Sequence, residues 1–561
     1  MPQRTRTLIN RKYLEFFVPT VLTAMADSTA MLLDATIVNF ALGATAFAAV
    51  NLMSPIIQLY VATAILFGMS CATIIARAKG EDGTDVEKSS TCFTVAIAAL
   101  VVVGVLFIVV QFAASHRIVA LLTQDAELQS LLWLYYLPYV AGTPITLVMT
   151  SGVYVIRTEG RPKFASAIII VANSTNLLLD LLFILVFGWG MAGAATATVL
   201  GNLVGLAMFL SHFRRPDCTL RWSWAVLRDM RAVAANLRAL LASGISGAVG
   251  ALLIMVRVFF LNSLVQRYGG SQALVAYSIV SLCQIADSAF VAGACQTMVP
   301  LTSMLHGEGD REGIRSTFRM ALKIMLSASV IIMVLMEIFA EPLVVLYGMT
   351  GAESIATGCA AVRICALMFP GDALTFLGLY HFIGMGRNTA ATSVSVLNGV
   401  GFTIPLGLLL PMALGLTGVW VALPLAQWAA VAYTAVVGIL LRRREQHEDN
   451  AKARELAAFS LNDTPWTEEM ETQVHALLHG DVSHAGDRLE ARLACASACL
   501  RALDAAPLAA HHKHRDTDVR ICEDAIIIKN EGVNVDESAF ESAACKGATF
   551  SRVMGFNLIN C

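Results

Sequence analysis

Charge is what this chain has least of. Only 14% of its 561 residues are Asp, Glu, Lys or Arg, where soluble domains carry about 25%. With 57% hydrophobic residues and a mean hydropathy of +0.67, that shortage excludes a water-soluble globular chain and leaves a polytopic membrane protein. Order is also lacking among the twelve cysteines. Without regular spacing they fit neither a disulfide framework nor a zinc site, and they read as reduced, structural thiols. No cleavable leader is expected, because Arg4, Arg6, Arg11 and Lys12 run straight into a full-length apolar stretch. No constellation for nucleophilic or acid–base catalysis is present, so an enzyme is not expected. Nor is a nucleic-acid partner.

What the chain does have is a series of apolar runs long enough to cross roughly 30 Å of hydrocarbon. Twelve are expected, near 13–40, 48–76, 91–114, 130–156, 164–187, 190–212, 239–266, 272–305, 318–340, 358–384, 390–412 and 416–441. Their connections carry 24 Lys and Arg at one set of ends, and only Arg117, Arg267 and Arg363 at the other. The positive-inside rule therefore puts both termini in the cytosol, which an even number of spans satisfies. A shift of 227 residues aligns Gly43 with Gly270 and Gly80-Glu81 with Gly307-Glu308. At nearly the same offset Gly160-Arg161 meets Gly386-Arg387. Two parallel six-helix halves follow, an architecture of transporters with the substrate path between the halves. The expected division is 1–212 for the first lobe, 213–238 for a cytosolic linker, 239–444 for the second lobe, and 445–561 for a cytosolic domain. Up to Arg444 the chain holds 28 basic and 21 acidic residues, and beyond it 11 and 20. A basic membrane body thus precedes an acidic soluble tail.

Ionisable residues inside apolar runs are costly and mark function by default. Those lying well within spans are Asp27 and Asp34 in the first, Asp180 in the fifth, Arg257 in the seventh and Asp287 in the eighth, and Asp372 lies in the tenth after Pro370-Gly371. Asp27 and Asp34 are two helical turns apart on one side, and Asn176 lies one turn before Asp180 on the same face. Asp287 has a candidate counter-ion in Arg257 on the preceding helix, so the two could form a plain structural ion pair. Asp34 and Asp180 have none, because the first six spans contain no Lys or Arg. These two acids must hold a proton, bind a cation or meet a substrate. Met and aromatic residues are plentiful in the spans, but packing explains them and none is singled out.

Leu33-Asp34-Ala-Thr-Ile-Val, the Gly80-Glu81-Asp82 loop, Asn176-x-x-x-Asp180 and Gly193-Ala-Ala-Thr-Ala-Thr198 together resemble the multidrug and toxic compound extrusion (MATE) family. The likeness spans about 1–441 and recurs in Gly307-Glu-Gly-Asp310 and Pro370-Gly-Asp372. It implies an all-α membrane fold, two six-helix bundles in an inverted V around a central cavity, in a bacterial inner membrane. It also implies export of amphiphilic, mostly cationic compounds in exchange for H⁺ or Na⁺, with no other cofactor. By the same likeness Asp34, Asn176, Asp180 and Thr198 form a cation-coupling site, where Na⁺ would sit at Asp34 and Asp180. Asp27, Arg257, Asp287 and Asp372 are then candidates for the cavity or the second lobe. The chain departs from the family at Asn39, where Gly is usual, and near Arg257, where some members carry Glu.

The tail reads as a small α+β domain, with helices at 468–478 and 487–503, strands at 517–522 and 524–530, and one further strand in 550–559. This order resembles the anti-sigma-factor-kinase type of ATP-binding domain, through Ile526-Ile-Ile-Lys-Asn-Glu-Gly-Val-Asn-Val-Asp536 and Ser551-Arg-Val-Met-Gly-Phe-Asn557. It lacks that family's Mg²⁺-binding Asn on the helix, has Asn530 at the adenine-reading position, and has no Gly-rich lid. A domain without ATP binding, retained for regulation or for a cytosolic protein partner, is expected. His511-His512-Lys513-His514 reads as a solvated loop rather than a metal site. Beside the monomeric exporter stand two other readings. One is a flippase for a lipid-linked intermediate, disfavoured because only Arg257 is a base well inside a span. The other is a ligand sensor that signals through the tail.

Overall fold

The computed structural model describes residues 7–448 except 83–85, 124, 216–217, 348 and 350. In the C-terminal part it describes 455–462, 466–467, 470–474, 487–505, 516–522, 526–531, 549–553 and 556–560. The His511–His514 run lies outside the described residues, as does most of the expected helix 468–478, of which 470–474 is helical.

Hydrocarbon offers the backbone no hydrogen-bond partners, so apolar runs of this length close their bonds within helices. Among the described residues, ten helices are long and apolar enough to cross a membrane. The pair Ala126–Ala141 and Thr143–Thr158, bent by 59° at Gly142, makes an eleventh. The last stretch, Asn388–Arg443, is broken by Gly415 at φ +59°.

Left-handed glycines mark corresponding turns in the two halves: Gly43 with Gly270, Gly160 with Gly386, and Gly188 with Gly415. These pairs keep the offset read from the sequence, and only glycine adopts such angles without a Cβ penalty. Two short helices missed in the sequence, Ser115–Leu122 and Ala340–Leu346, also occupy equivalent connections. Their eight and seven residues are too few to span, so a search for long apolar runs passes over them.

The first half has its own core, from Val38 through Tyr136 and Ile156 to Phe209. The second half packs around Val280, Phe369 and Trp420. A third cluster joins Leu8, Tyr13 and Phe16 of helix Thr7–Leu42 to Met298, Met304 and Leu305, and the Tyr13 hydroxyl donates to the Ala294 carbonyl at 3.0 Å. At the Lys/Arg-rich side the halves touch again, where Arg77 donates to the Gly384 carbonyl at 3.5 Å. There too the buried Arg157 guanidinium donates to the Gln296 side-chain oxygen.

The tail forms a five-stranded antiparallel sheet of order β1-β2-β3-β5-β4, from Glu455–Asn462, Asp516–Cys522, Ile526–Glu531, Thr549–Val553 and Phe556–Asn560. Helix Asp487–Ala505 shares its core through Leu493, Cys499, Leu500 and Leu503 against Val519, Ile521 and Ile528. β1 had been missed, since Glu455-Leu-Ala-Ala carries little β-branched signal. The single strand expected at 550–559 is a hairpin.

Candidate functional site

Helix Pro162–Asp180 carries Asn176 and Asp180 on one face, and helix Gly190–His212 crosses it closely. Gly201 makes the crossing possible. A Cβ there would stand 2.6 Å from the Ala172 carbonyl oxygen and 3.0 Å from the Asn176 Cβ, contacts that a side chain does not tolerate. The close approach lets the Asn176 amide donate to Asp180 Oδ2 at 3.0 Å and to Thr198 Oγ1 at 3.3 Å. Thr198 is itself tied to the Ala194 carbonyl at 3.2 Å.

Asp180 is completely buried. Its Oδ1 receives no amide or hydroxyl among the described residues, and the Asp34 carboxyl is its neighbour. Two neighbouring buried carboxyl groups cannot readily both carry charge unless a proton or a cation lies between them. Asp180 is also the last α-helical residue before a π-helical segment, Leu181–Val186. Such segments are rare and occur mostly at functional sites. The sequence-expected set Asp34, Asn176, Asp180 and Thr198 is therefore one constellation in space.

Tyr135 had not been singled out. It is buried between Thr198, to which its hydroxyl bonds, and the two acids. The only sequence signal was its place in Tyr135-Tyr136-x-x-Tyr139 among otherwise aliphatic residues. These side chains offer a proton or a hard cation two carboxylates, an amide oxygen and hydroxyls, the oxygen donors that such ions prefer.

The other acids lie apart from this set. Asp27 is exposed and accepts from the Asn173 amide at 2.9 Å. Asp287 is buried, but the expected ion pair with Arg257 is not what holds it. Its Oδ1 accepts from the Ser329 hydroxyl at 2.6 Å, and Arg257 is not among the groups that bear on its charge. Arg257 instead lies within electrostatic reach of Asp372, which accepts from the Gln427 amide. The second half also has a π segment, Leu397–Gly401, but by the repeat offset it corresponds to the region of Asn173, a few turns before Leu181–Val186. There the buried polar residue is Asn398 rather than an acid.

At the basic side of the first half, Glu159, His212 and Cys218 bring three ligand atoms within 4.8 Å of one another. The place is already taken by the Lys79 ammonium, which pairs with Glu159. Thr219 donates to Glu159 through its backbone N–H at 3.0 Å and its hydroxyl at 2.8 Å. Burial alone would raise the Glu159 carboxyl, but Lys79 and Thr219 outweigh it and hold it below the ordinary range.

Comparison with known proteins gives a consistent picture. A family model described as MatE matches residues 19–182 and 248–409. The multidrug export protein MepA of Staphylococcus saprophyticus is 22% identical over 437 residues, covering 77% of this chain and 94% of MepA. MepA of Staphylococcus aureus strain MRSA252 is 22% identical over 439 residues, with the same coverage. Among solved structures, the outward-facing conformation of a multidrug resistance MATE family transporter of the MOP superfamily superposes with a TM-score of 0.72. It is 20% identical and covers 79% of this chain and 97% of its own. A MOP superfamily transporter from Pyrococcus furiosus, described as having a binding pocket of reverse polarity, superposes at 0.71 with 20% identity, covering 80% of this chain and 99% of its own.

Proposed function

We propose that this chain, which belongs to the MatE family, is a secondary active exporter of amphiphilic, mostly cationic compounds, driven by inward H⁺ or Na⁺ through Asp34 and Asp180. It is a transporter and not an enzyme. The observation that carries the reading is the juxtaposition of the Asp34 and Asp180 carboxyls, with no base among the described residues bearing on either. The names of the MepA relatives support the multidrug assignment.

In this reading twelve spans, the last two divided at Gly415, form lobes at 1–212 and 239–444 around the linker 213–238. Both termini and the domain at 445–561 face the cytosol of a bacterial inner membrane, and the protein works as a monomer. Asp34 and Asp180 share a proton or, ionised, bind Na⁺, with Asn176, Thr198 and Tyr135 fixing their geometry. Loading and release shift the population between two packings of the lobe. The π segment after Asp180 supplies a means. Losing its one extra residue would turn the following helix by about 100°, one residue's share of a 3.6-residue turn. Asp27, exposed and held by Asn173, is the acid placed to meet a cationic substrate in the cavity. Asp372 with Arg257, and Asp287 with Ser329, are polar anchors in the second lobe.

The tail, by its order of strands and helix, is a degenerate relative of anti-sigma-factor-kinase ATPase domains with a regulatory role. Dye uptake into inverted vesicles, whose cytosolic face is outward, under imposed pH or Na⁺ gradients tests the proposal. Gradient-driven, saturable transport is expected, and its absence under both gradients would refute it.

A further inference from the structure

The soluble sheet is fastened to the membrane body by buried charges. Lys529 of β3 is 1% exposed and Arg520 of β2 is 3% exposed. Charged side chains this deep need partners to offset their lost hydration. Both find them in the turn Glu308-Gly309-Asp310, which joins helix Met230–Gly307 to helix Arg311–Ile338. Lys529 Nζ pairs with the Glu308 carboxylate and lies 3.1 Å from Asp310 Oδ2. Arg520 donates to the carbonyls of Glu308 and Gly309, at 3.2 Å each. Gly309 stands at φ +70° in this turn, a left-handed angle that glycine adopts without a Cβ penalty. Asp310 is thereby shared, because it also caps the following helix through the Gly313 N–H at 2.8 Å.

Three further contacts widen the attachment. Asp516 of β2 pairs with Arg11. Ile527 of β3 joins the buried cluster that contains Leu8, Ile9, Leu305 and Ile314. The edge strand β4 lies against helix Ser70–Asp82. Glu308 and Ile314 belong to the second half, whereas Arg11 and helix Ser70–Asp82 belong to the first. The sheet therefore crosses the seam between the halves, on the side where Arg77 meets Gly384 and Arg157 meets Gln296.

We propose that the C-terminal sheet is a clamp that holds the two halves together at their Lys/Arg-rich side, and that its release from the 308–310 turn is required for that side to open. Any access path through this side must separate helix Ser70–Asp82 from the 307–314 region. The sheet resists that separation as long as Lys529 and Arg520 stay seated. The geometry of the clamp is independent of what the protein exports, and only its consequence for transport rests on the export reading.

Hydrogen–deuterium exchange on the full-length protein in detergent or nanodiscs, which needs no substrate, provides the test. Lys529→Glu is expected to raise amide exchange at least tenfold both in residues 70–82 and in 304–315. The charge swap Glu308→Lys with Lys529→Glu is expected to return both regions toward wild type. Increased exchange confined to residues 455–560 would mean that the sheet detaches without loosening the seam, and would overturn the clamp. So would unchanged exchange throughout, or a charge swap that behaves like the single variant. Because the readout is structural, failure of the clamp is distinguishable from failure of the export reading, which the vesicle assay alone decides.

Discussion

Asp34 and Asp180, from the first and fifth apolar helices, meet carboxyl to carboxyl. Among the described residues, no Lys or Arg bears on either carboxyl. The proton or cation that such a pair requires is the expected link between ion flow and export.

Asp180→Asn and Asp34→Asn should each lower gradient-driven dye export at least tenfold, with the protein still inserted and monodisperse. The amide preserves shape and cannot release a proton, so loss of transport without loss of fold isolates the titration. Export at the wild-type rate in either variant would remove the acid pair from the mechanism.

Gly201→Val should separate the helices that carry Asn176 and Thr198, since even one added carbon would stand 2.6 Å from the Ala172 carbonyl oxygen. Overpacking of this kind costs about 1–3 kcal/mol. A fall in thermal stability together with lost export is expected, measured by differential scanning fluorimetry and vesicle transport on the same preparation. An unchanged melting temperature would show that the crossing has room to spare.

Asp27→Asn should discriminate between substrates by charge. A charge-assisted hydrogen bond contributes about 1.5–3 kcal/mol, so the apparent KM for a monovalent cationic dye should rise roughly tenfold or more. Export of a neutral compound should change little. Equal losses for both would place Asp27 outside the substrate path.

The Lys79–Glu159–Thr219 anchor should make stability depend on pH. The folded-state carboxyl of Glu159 is held below its ordinary value, by Lys79 and Thr219 against the opposing effect of burial. Its stabilisation is therefore complete above the unfolded carboxylate pKa, about 4.3, and is lost as pH falls through the lower folded value. Glu159→Gln should flatten this acid limb. Lys79→Met should cost about 3–5 kcal/mol, because it leaves a buried carboxylate without its cation. Thermal unfolding of the three proteins between pH 3 and 7, a range chosen to bracket ordinary carboxylate pKa values, would reveal a persistent acid limb in Glu159→Gln if the anchor is not responsible.

Much of the candidate site was legible in the chain because its signal is one of cost. An Asp among apolar residues stands out wherever it lies, and i, i+4 spacing alone joins Asn176 to Asp180. Tyr135 was not legible, since a tyrosine in a membrane helix is usually packing, and only the fold places its hydroxyl on Thr198. The same limit explains the Asp287–Arg257 expectation. Adjacency in sequence suggested a pair, and the fold gives Asp287 the Ser329 hydroxyl instead.

By itself, then, the sequence determined the apolar helices, their repeat in two halves, and the acids that no span-borne base can neutralise in the first half. Those follow from hydrophobic periodicity and the energy of burying charge, which are local properties. Tertiary structure alone decided which acids meet, where Gly201 brings two helices together, and that Lys529 and Arg520 of the tail seat on Glu308 and Asp310. These are contacts between segments far apart in the chain, and their energies depend on distance and shared burial, quantities that no stretch of residues carries alone.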